Sequence, residues 1–205
     1  MTIMSGAKRW ARPALSALTL VCLVRPAPAF DAESVFARGT TIVDLQIGGG
    51  AVNNLEGHRT VSDISFLNAT PRASYLPFSP FGSGALRSAL EPGIEGWFQY
   101  YVSPRGATAE GLKLALRYHF IGLGRLVPYL ELTGGAGGTS LRVREIDSTF
   151  TFATEAGAGL SYFLTDVVAL NAGYRFQHIS NGHTSSPNRG FNSDSGVVGV
   201  SFYFK

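Results

Sequence analysis

Two residues set two apart, His178 and Ser180, have the types and spacing for nucleophilic chemistry. A serine hydroxyl is a poor nucleophile alone. It needs a base to take its proton, a third group to orient that base, and donors for the oxyanion. The pair lies in the stretch 174–192, YRFQHISNGHTSSPNRGFN. On a strand, i and i+2 share a face, with Cβ atoms roughly 6–7 Å apart. That spacing admits a side-chain hydrogen bond where a strand end bends. The shared face is apolar: Val168, Leu170, Ala172, Tyr174 and Phe176 lead up to the pair. Asn171, Arg175 and Gln177 take the opposite face. Such a pair is out of place on the apolar side of a soluble strand, and fits a strand whose apolar side meets lipid.

The elements that would carry this strand alternate in the same way. Residues 40–49 set Val43, Leu45 and Ile47 against Asp44 and Gln46. Residues 61–75 form a weaker strand with Ile64 and Phe66 on one face and a phase lost near Pro71. Residues 93–102 set Ile94, Phe98, Tyr100 and Val102 against Glu95, Trp97 and Gln99. Residues 111–121 set Leu112, Leu114, Leu116, Tyr118 and Phe120 against Lys113, Arg117 and His119. Strands over 127–138, 149–164, 166–180 and 194–204 bring the number to eight, the smallest common for a closed outer-membrane barrel. The polar faces carry Glu95, Lys113, Arg117, Glu131, Glu155 and Arg175. Both signs are present, so they can pair inside a narrow barrel, whereas a soluble sandwich core would not accept six charges. The connections at 122–125 and 164–166 are tight, and those near 50–58, 103–110, 139–148 and 181–193 are longer. Short periplasmic turns and long outer loops give this rhythm. Residues 78–88, rich in Pro, Gly and Ser, break it. The fold class read here is all-β, an eight-stranded antiparallel transmembrane β-barrel after a cleaved signal peptide.

The start of the chain supports export. Lys8, Arg9 and Arg12 precede an apolar run from Pro13 to Val24, and Ala27-Pro28-Ala29 is an A-x-A cleavage site. The run falls short of the roughly 20 residues of a membrane-spanning helix. This divides the chain into a signal peptide, 1–29, and an outer-membrane barrel domain, 30–205. Four of the 17 basic residues and none of the 14 acidic ones lie in 1–29, leaving 13 against 14, a net of −1. The pI near 9.2 therefore belongs to the targeting segment and gives no support for nucleic-acid binding. The single cysteine, Cys22, lies there too, so no disulfide or cysteine-metal site is expected in the barrel. No His/Asp/Glu spacing suggests zinc or calcium, and 48–50 is not a phosphate loop, because no Lys and no helix follow. No metal and no cofactor are expected.

With both termini periplasmic, the seventh strand runs outward from Asp166. His178 and Ser180 then sit near its outer end on the lipid side, at the level of the outer leaflet. Parity limits the third partner. Asn192 and Asp194 share the face of Val198 and Phe202 on the last strand, next to His178. Glu155 and Glu131 fall on lumen faces. His183 reads as a solvated loop residue, His119 as part of the lumen network, and His58 as an outer-loop residue with no partner in view.

His178-Ile179-Ser180-Asn181-Gly182, followed by Pro187-Asn188-x-Gly190, closely resembles the signature of the lipid A 3-O-deacylase (acyloxyacyl hydrolase-like) family. Pro128-Tyr129-Leu130-Glu131-Leu132 and Tyr174-Arg175-Phe176 resemble it more loosely. The likeness is specific over about residues 126–204. The end of the chain, Val200-Ser201-Phe202-Tyr203-Phe204, resembles the aromatic barrel-assembly signal, with Lys205 after the usual terminal aromatic. The resemblance implies a bacterial outer-membrane serine esterase that hydrolyses an ester-linked acyl chain, at the 3-O position, of lipid A in lipopolysaccharide. It makes Ser180 the nucleophile and His178 the base. Asn188 would help to stabilise the oxyanion, with Asn181 and Gly182 shaping the site. It implies lipopolysaccharide and outer-membrane lipid as partners, no nucleic acid, and is compatible with a homodimer. One position departs: the triad acid, a glutamate in characterised members, falls on Asn192. An amide can hold the imidazole but does not stabilise an imidazolium as a carboxylate does, and in serine proteases the comparable change lowers kcat by about 10⁴. Asp194 is the obvious substitute by parity.

Two other functions share this scaffold. One is a non-catalytic small outer-membrane barrel, structural or adhesive, with a degenerate triad; Asn192 favours it. The other is acyl transfer, which shares the acyl-enzyme with hydrolysis.

Overall fold

The computed structural model describes residues 30–53 and 62–205. The signal-peptide reading, Cys22 and His58 all fall outside them. Alternation produces eight antiparallel strands: β1 Thr41–Asn53, β2 Ser65–Tyr75, β3 Ser88–Ser103, β4 Ala107–Phe120, β5 Leu126–Thr139, β6 Phe150–Phe163, β7 Val168–Ser180 and β8 Phe191–Phe204. Each pairs with its neighbours in sequence, and β8 returns to β1 in a continuous register from Thr41 with Phe204 to Asn53 with Asn192. Closure leaves no free strand edge, which is what a β structure in lipid requires.

The faces are as the alternation predicts. Val43, Leu45, Ile47, Ile94, Phe98, Leu112, Leu114, Leu130, Leu132, Tyr174 and Val198 lie on the exterior, whereas Asp44, Gln46, Glu95, Lys113, Arg117, Glu131 and Arg175 are buried in the lumen. Among the described residues, thirty large apolar side chains exposed at 40% or more would be untenable in water; the exterior is a lipid-facing band.

The lumen has three layers. At the end bearing the termini, a one-turn helix α1, Ala32–Val35, is capped by Asp31 and followed by Phe36, which enters the barrel. Phe36 packs on His119, Tyr203 and Phe163 at ring distances of 4.8, 5.5 and 5.7 Å. In the middle, charges of both signs pair. Glu131 accepts from Arg72 (2.9 Å), Arg117 (3.0 Å) and Arg175 (2.8 Å). Lys113 bridges Glu95 and Glu155, each at 2.8 Å. At the opposite rim, Phe66, Trp97, Tyr101, Leu141, Ile146, Ile179 and Phe191 form an apolar cap. The network lets these buried charges persist because Glu95, Glu131 and Glu155 each bond cations directly.

Three details differ from the sequence reading. The phase of β2 survives Pro71: Phe66, Thr70, Arg72 and Ser74 face inward on both sides of it. Pro71 removes a ladder donor but sits on the exterior, where its ring rests over Gly96; a Cβ at Gly96 would lie 3.1 Å from the ring. The 103–110 loop shrinks to the turn 104–106, because β3 and β4 run on through Ser103 and from Ala107. The long 78–88 segment lies on the short-turn side, where Phe81 pairs with Ser88 and Arg87 bonds Glu33 of α1 at 2.6 Å. That segment therefore tethers the plug helix to the barrel.

Candidate active site

The rim of β7 and β8 assembles the candidate residues. His178 is registered directly opposite Asn192. Their side chains meet on the exterior, His178 Nδ1 to Asn192 Oδ1, at 2.7 Å. An amide oxygen only accepts, so Nδ1 carries the proton. The lone pair is then on Nε2, the state required of a base. Asn192 is nearly buried although its parity is exterior. Gly190, at φ 66°, passes beside the other edge of the ring: a Cβ there would lie 3.1 Å from Cε1 and 3.3 Å from Nε2. This is a position where close approach and left-handed backbone both call for glycine.

Ser180 lies on the same exterior face, half-buried, opposite Phe152 of β6. Its carbonyl accepts from the Thr151 hydroxyl at 3.0 Å, which anchors the strand end. Among the described residues no hydrogen bond joins Ser180 to His178. Asp194 stands one rung below. It is paired with Phe176 and accepts from the Tyr174 hydroxyl, so its carboxylate is turned along the strand and not onto His178. Of the two residues that parity allowed, Asn192 is the one on the imidazole.

The β7–β8 loop is organised from within. Asn181 is buried, and its Nδ2 donates to the Ser185 carbonyl and hydroxyl, both at 3.0 Å, and to the Pro187 carbonyl at 3.1 Å. Its Oδ1 accepts from the His183 N–H at 3.0 Å. That amide holds the loop and is not aimed at a substrate. Gly182, at φ 62°, is exposed and lies over Phe152. Asn188 Oδ1 accepts from the Asn181 N–H at 2.8 Å, and its Nδ2 lies 3.1 Å from His183 Nδ1. His183 is thus exposed but engaged, unlike the solvated loop residue read from sequence.

A second loop, read from the sequence only as a long connection near 139–148, takes part in the site. Residues 140–149, between β5 and β6, dock onto the site loop. Arg189 N–H and Gly190 N–H both donate to the Glu145 carbonyl, at 2.9 and 3.3 Å, and Ile146 bridges Asn188. Some 40 residues separate these partners, and no local pattern announces the contact.

The model of one family, the lipid A 3-O-deacylases (PagL), matches residues 81–201, which contain this whole arrangement. The chain belongs to the PagL lipid A 3-O-deacylase family. The segments that resembled this family, 178–182 and 187–190, lie inside the match. Two crystal structures are similar to this barrel. The outer membrane enzyme PagL is 19% identical, with 76% of this chain and 97% of that one covered and a TM-score of 0.56. Neisserial surface protein A is 16% identical, with 82% and 100% covered and a TM-score of 0.57. At those identities the likeness is of fold. No curated protein matches the chain. A PagL-family barrel with a lipid-facing exterior places the chain in the bacterial outer membrane. The end with α1 and the connections 121–125 and 164–167 is then the periplasmic end, and the end with the 140–149 and 181–190 loops and the candidate site the outer one.

Proposed function

We propose that the chain hydrolyses the 3-O-linked acyl ester of lipid A through an acyl-enzyme on Ser180. The observation that carries this is the His178–Asn192 pair, at 2.7 Å on the exterior beside Ser180, at the outer end of the barrel. The bond leaves Nε2 as the proton acceptor. Nε2 takes the Ser180 proton as Oγ attacks the ester carbonyl, and the Asn188 amide donates to the developing oxyanion. Collapse expels the 3-hydroxyl of the glucosamine, which receives the proton from His178. Water then attacks the acyl-enzyme by the same route and releases the fatty acid. Ser180 Oγ comes within hydrogen-bond distance of His178 Nε2 when substrate binds, as catalytic bonds often tighten only in the complex. The reaction needs no metal or cofactor among these steps.

Purified protein presented with lipopolysaccharide in detergent tests this. Free fatty acid and 3-O-deacylated lipid A are expected by mass spectrometry from wild type, and neither from Ser180→Ala. Equal release by both proteins sinks the mechanism. Transfer in place of hydrolysis would show as the acyl chain on a second acceptor.

A second reading, a non-catalytic barrel with a degenerate triad, is favoured by Asn192 and by the missing Ser180–His178 bond. An inactive wild type together with an active Asn192→Glu variant would establish it.

A further inference from the structure

We infer that His183 is a positioning residue that locks the Asn188 amide in the orientation an oxyanion donor needs; this rests on the deacylase reading above. The Asn188 amide has one acceptor and two N–H groups. Its Oδ1 takes the backbone N–H of Asn181, the residue that follows Ser180, at 2.8 Å. That bond decides which way the amide lies, because a backbone N–H requires an acceptor. Nδ2 then meets His183 Nδ1 at 3.1 Å. His183 must accept there, so its ring carries its proton on Nε2. The amide is thereby pinned at both ends, and one N–H remains uncommitted.

The backbone supports the assignment. His183 is, among the described residues, the one non-glycine with positive φ, 62°. Gly182 just before it has the same φ of 62°. A loop needing only this conformation is served without strain by glycine, whereas histidine adopts it against its Cβ. Strain of this kind is held where surrounding contacts over-determine it. Two contacts do so here: the His183 N–H on Asn181 Oδ1 at 3.0 Å, and the ring nitrogen on Asn188. The first fixes where the ring starts and the second what it holds. Asn181, His183 and Asn188 therefore form a closed circuit behind the nucleophile, and His183 is the member whose ring bonds the donor amide.

Two substitutions separate this role from a loop-forming one. His183→Gly keeps the backbone conformation and removes the acceptor. His183→Asn tolerates positive φ and returns an acceptor, Oδ1, at the place of Nδ1. Fatty-acid release from lipopolysaccharide in detergent reads kcat and KM. His183→Gly is expected to lower kcat about tenfold with KM within about twofold, less than the loss of a whole oxyanion donor. His183→Asn is expected to recover at least about half of the wild-type kcat, as preorganisation of the donor returns. Wild-type kcat in His183→Gly, or equal loss in both variants, overturns the inference. An arm independent of activity uses the side-chain amide protons of Asn188, identified by their loss in Asn188→Ala, in ¹⁵N-labelled full-length barrel in micelles. His183→Gly should shift them and speed their exchange, and His183→Asn should restore them. An unmoved pair rejects the lock. If wild type releases no fatty acid, the deacylase reading fails, and this signal alone decides whether the lock exists.

Discussion

At His178 an amide oxygen stands where a carboxylate would carry full charge. The geometry of the bond, 2.7 Å to Nδ1, orients the ring and selects the tautomer as well as an acid would. What is lost is the attraction to the imidazolium that forms as Ser180 gives up its proton. Asn192→Glu is therefore expected to raise kcat by at least about tenfold, part of the roughly 10⁴ that the amide-for-acid change costs serine proteases. Asp194→Ala is expected to leave kcat near wild type, because that carboxylate is committed to Tyr174 and stands a rung below the ring. A collapse of activity in Asp194→Ala, measured on lipopolysaccharide, would contradict the arrangement described. That His178, Ser180, Asn192 and Asp194 share the exterior face was legible from parity, which left a choice between residues 192 and 194. The choice itself was not, since both residues share a face and only cross-strand register puts one of them opposite His178.

At the scale of elements, the site belongs to two loops as much as to two strands. Gly190 can lie beside the imidazole because the Glu145 carbonyl draws in the N–H groups of Arg189 and Gly190. Residue 145 is held in turn by Ile146, which is buried in the apolar cap with Trp97, Tyr101 and Phe191. Ile146→Ala should open a gap worth roughly 2 kcal/mol or more at the cap. Fatty-acid release should fall while the folded band persists on unboiled SDS gels, because the barrel wall does not depend on that side chain. Loss of the folded form would show instead that the cap holds the barrel closed. The strand faces were readable from alternation where apolar and charged residues alternate. They were not readable at 103–110, where Ala107 and Ala109 face inward and the polar Thr108 and Glu110 outward, the reverse of the apolar-out pattern of the other strands, and a three-residue turn passed for a long loop.

For the whole molecule, the buried ion network governs stability. Glu131 is shared by three guanidinium groups inside a closed wall. Glu131→Leu strips a counter-charge from ions that cannot reach water and should cost about 3–5 kcal/mol. Urea unfolding from lipid vesicles, followed by the fluorescence of the buried Trp97, measures it. A loss within 1 kcal/mol of zero would mean that Glu95, Glu155 and Asp44 already balance the arginines.

The sequence by itself determined the barrel and the exterior address of the His178/Ser180 pair. Alternation has a period of two, and each side chain's face follows from that period alone. Its family, too, was carried by contiguous residues, 178–182 and 187–190. The tertiary structure decided what depends on distance along the chain. Closure of β8 on β1, the choice of Asn192 over Asp194, the engagement of His183 with Asn188, and the docking of 140–149 on the site all depend on register and loop path. Register is set by pairing summed around a whole ring, and no local stretch of residues encodes it.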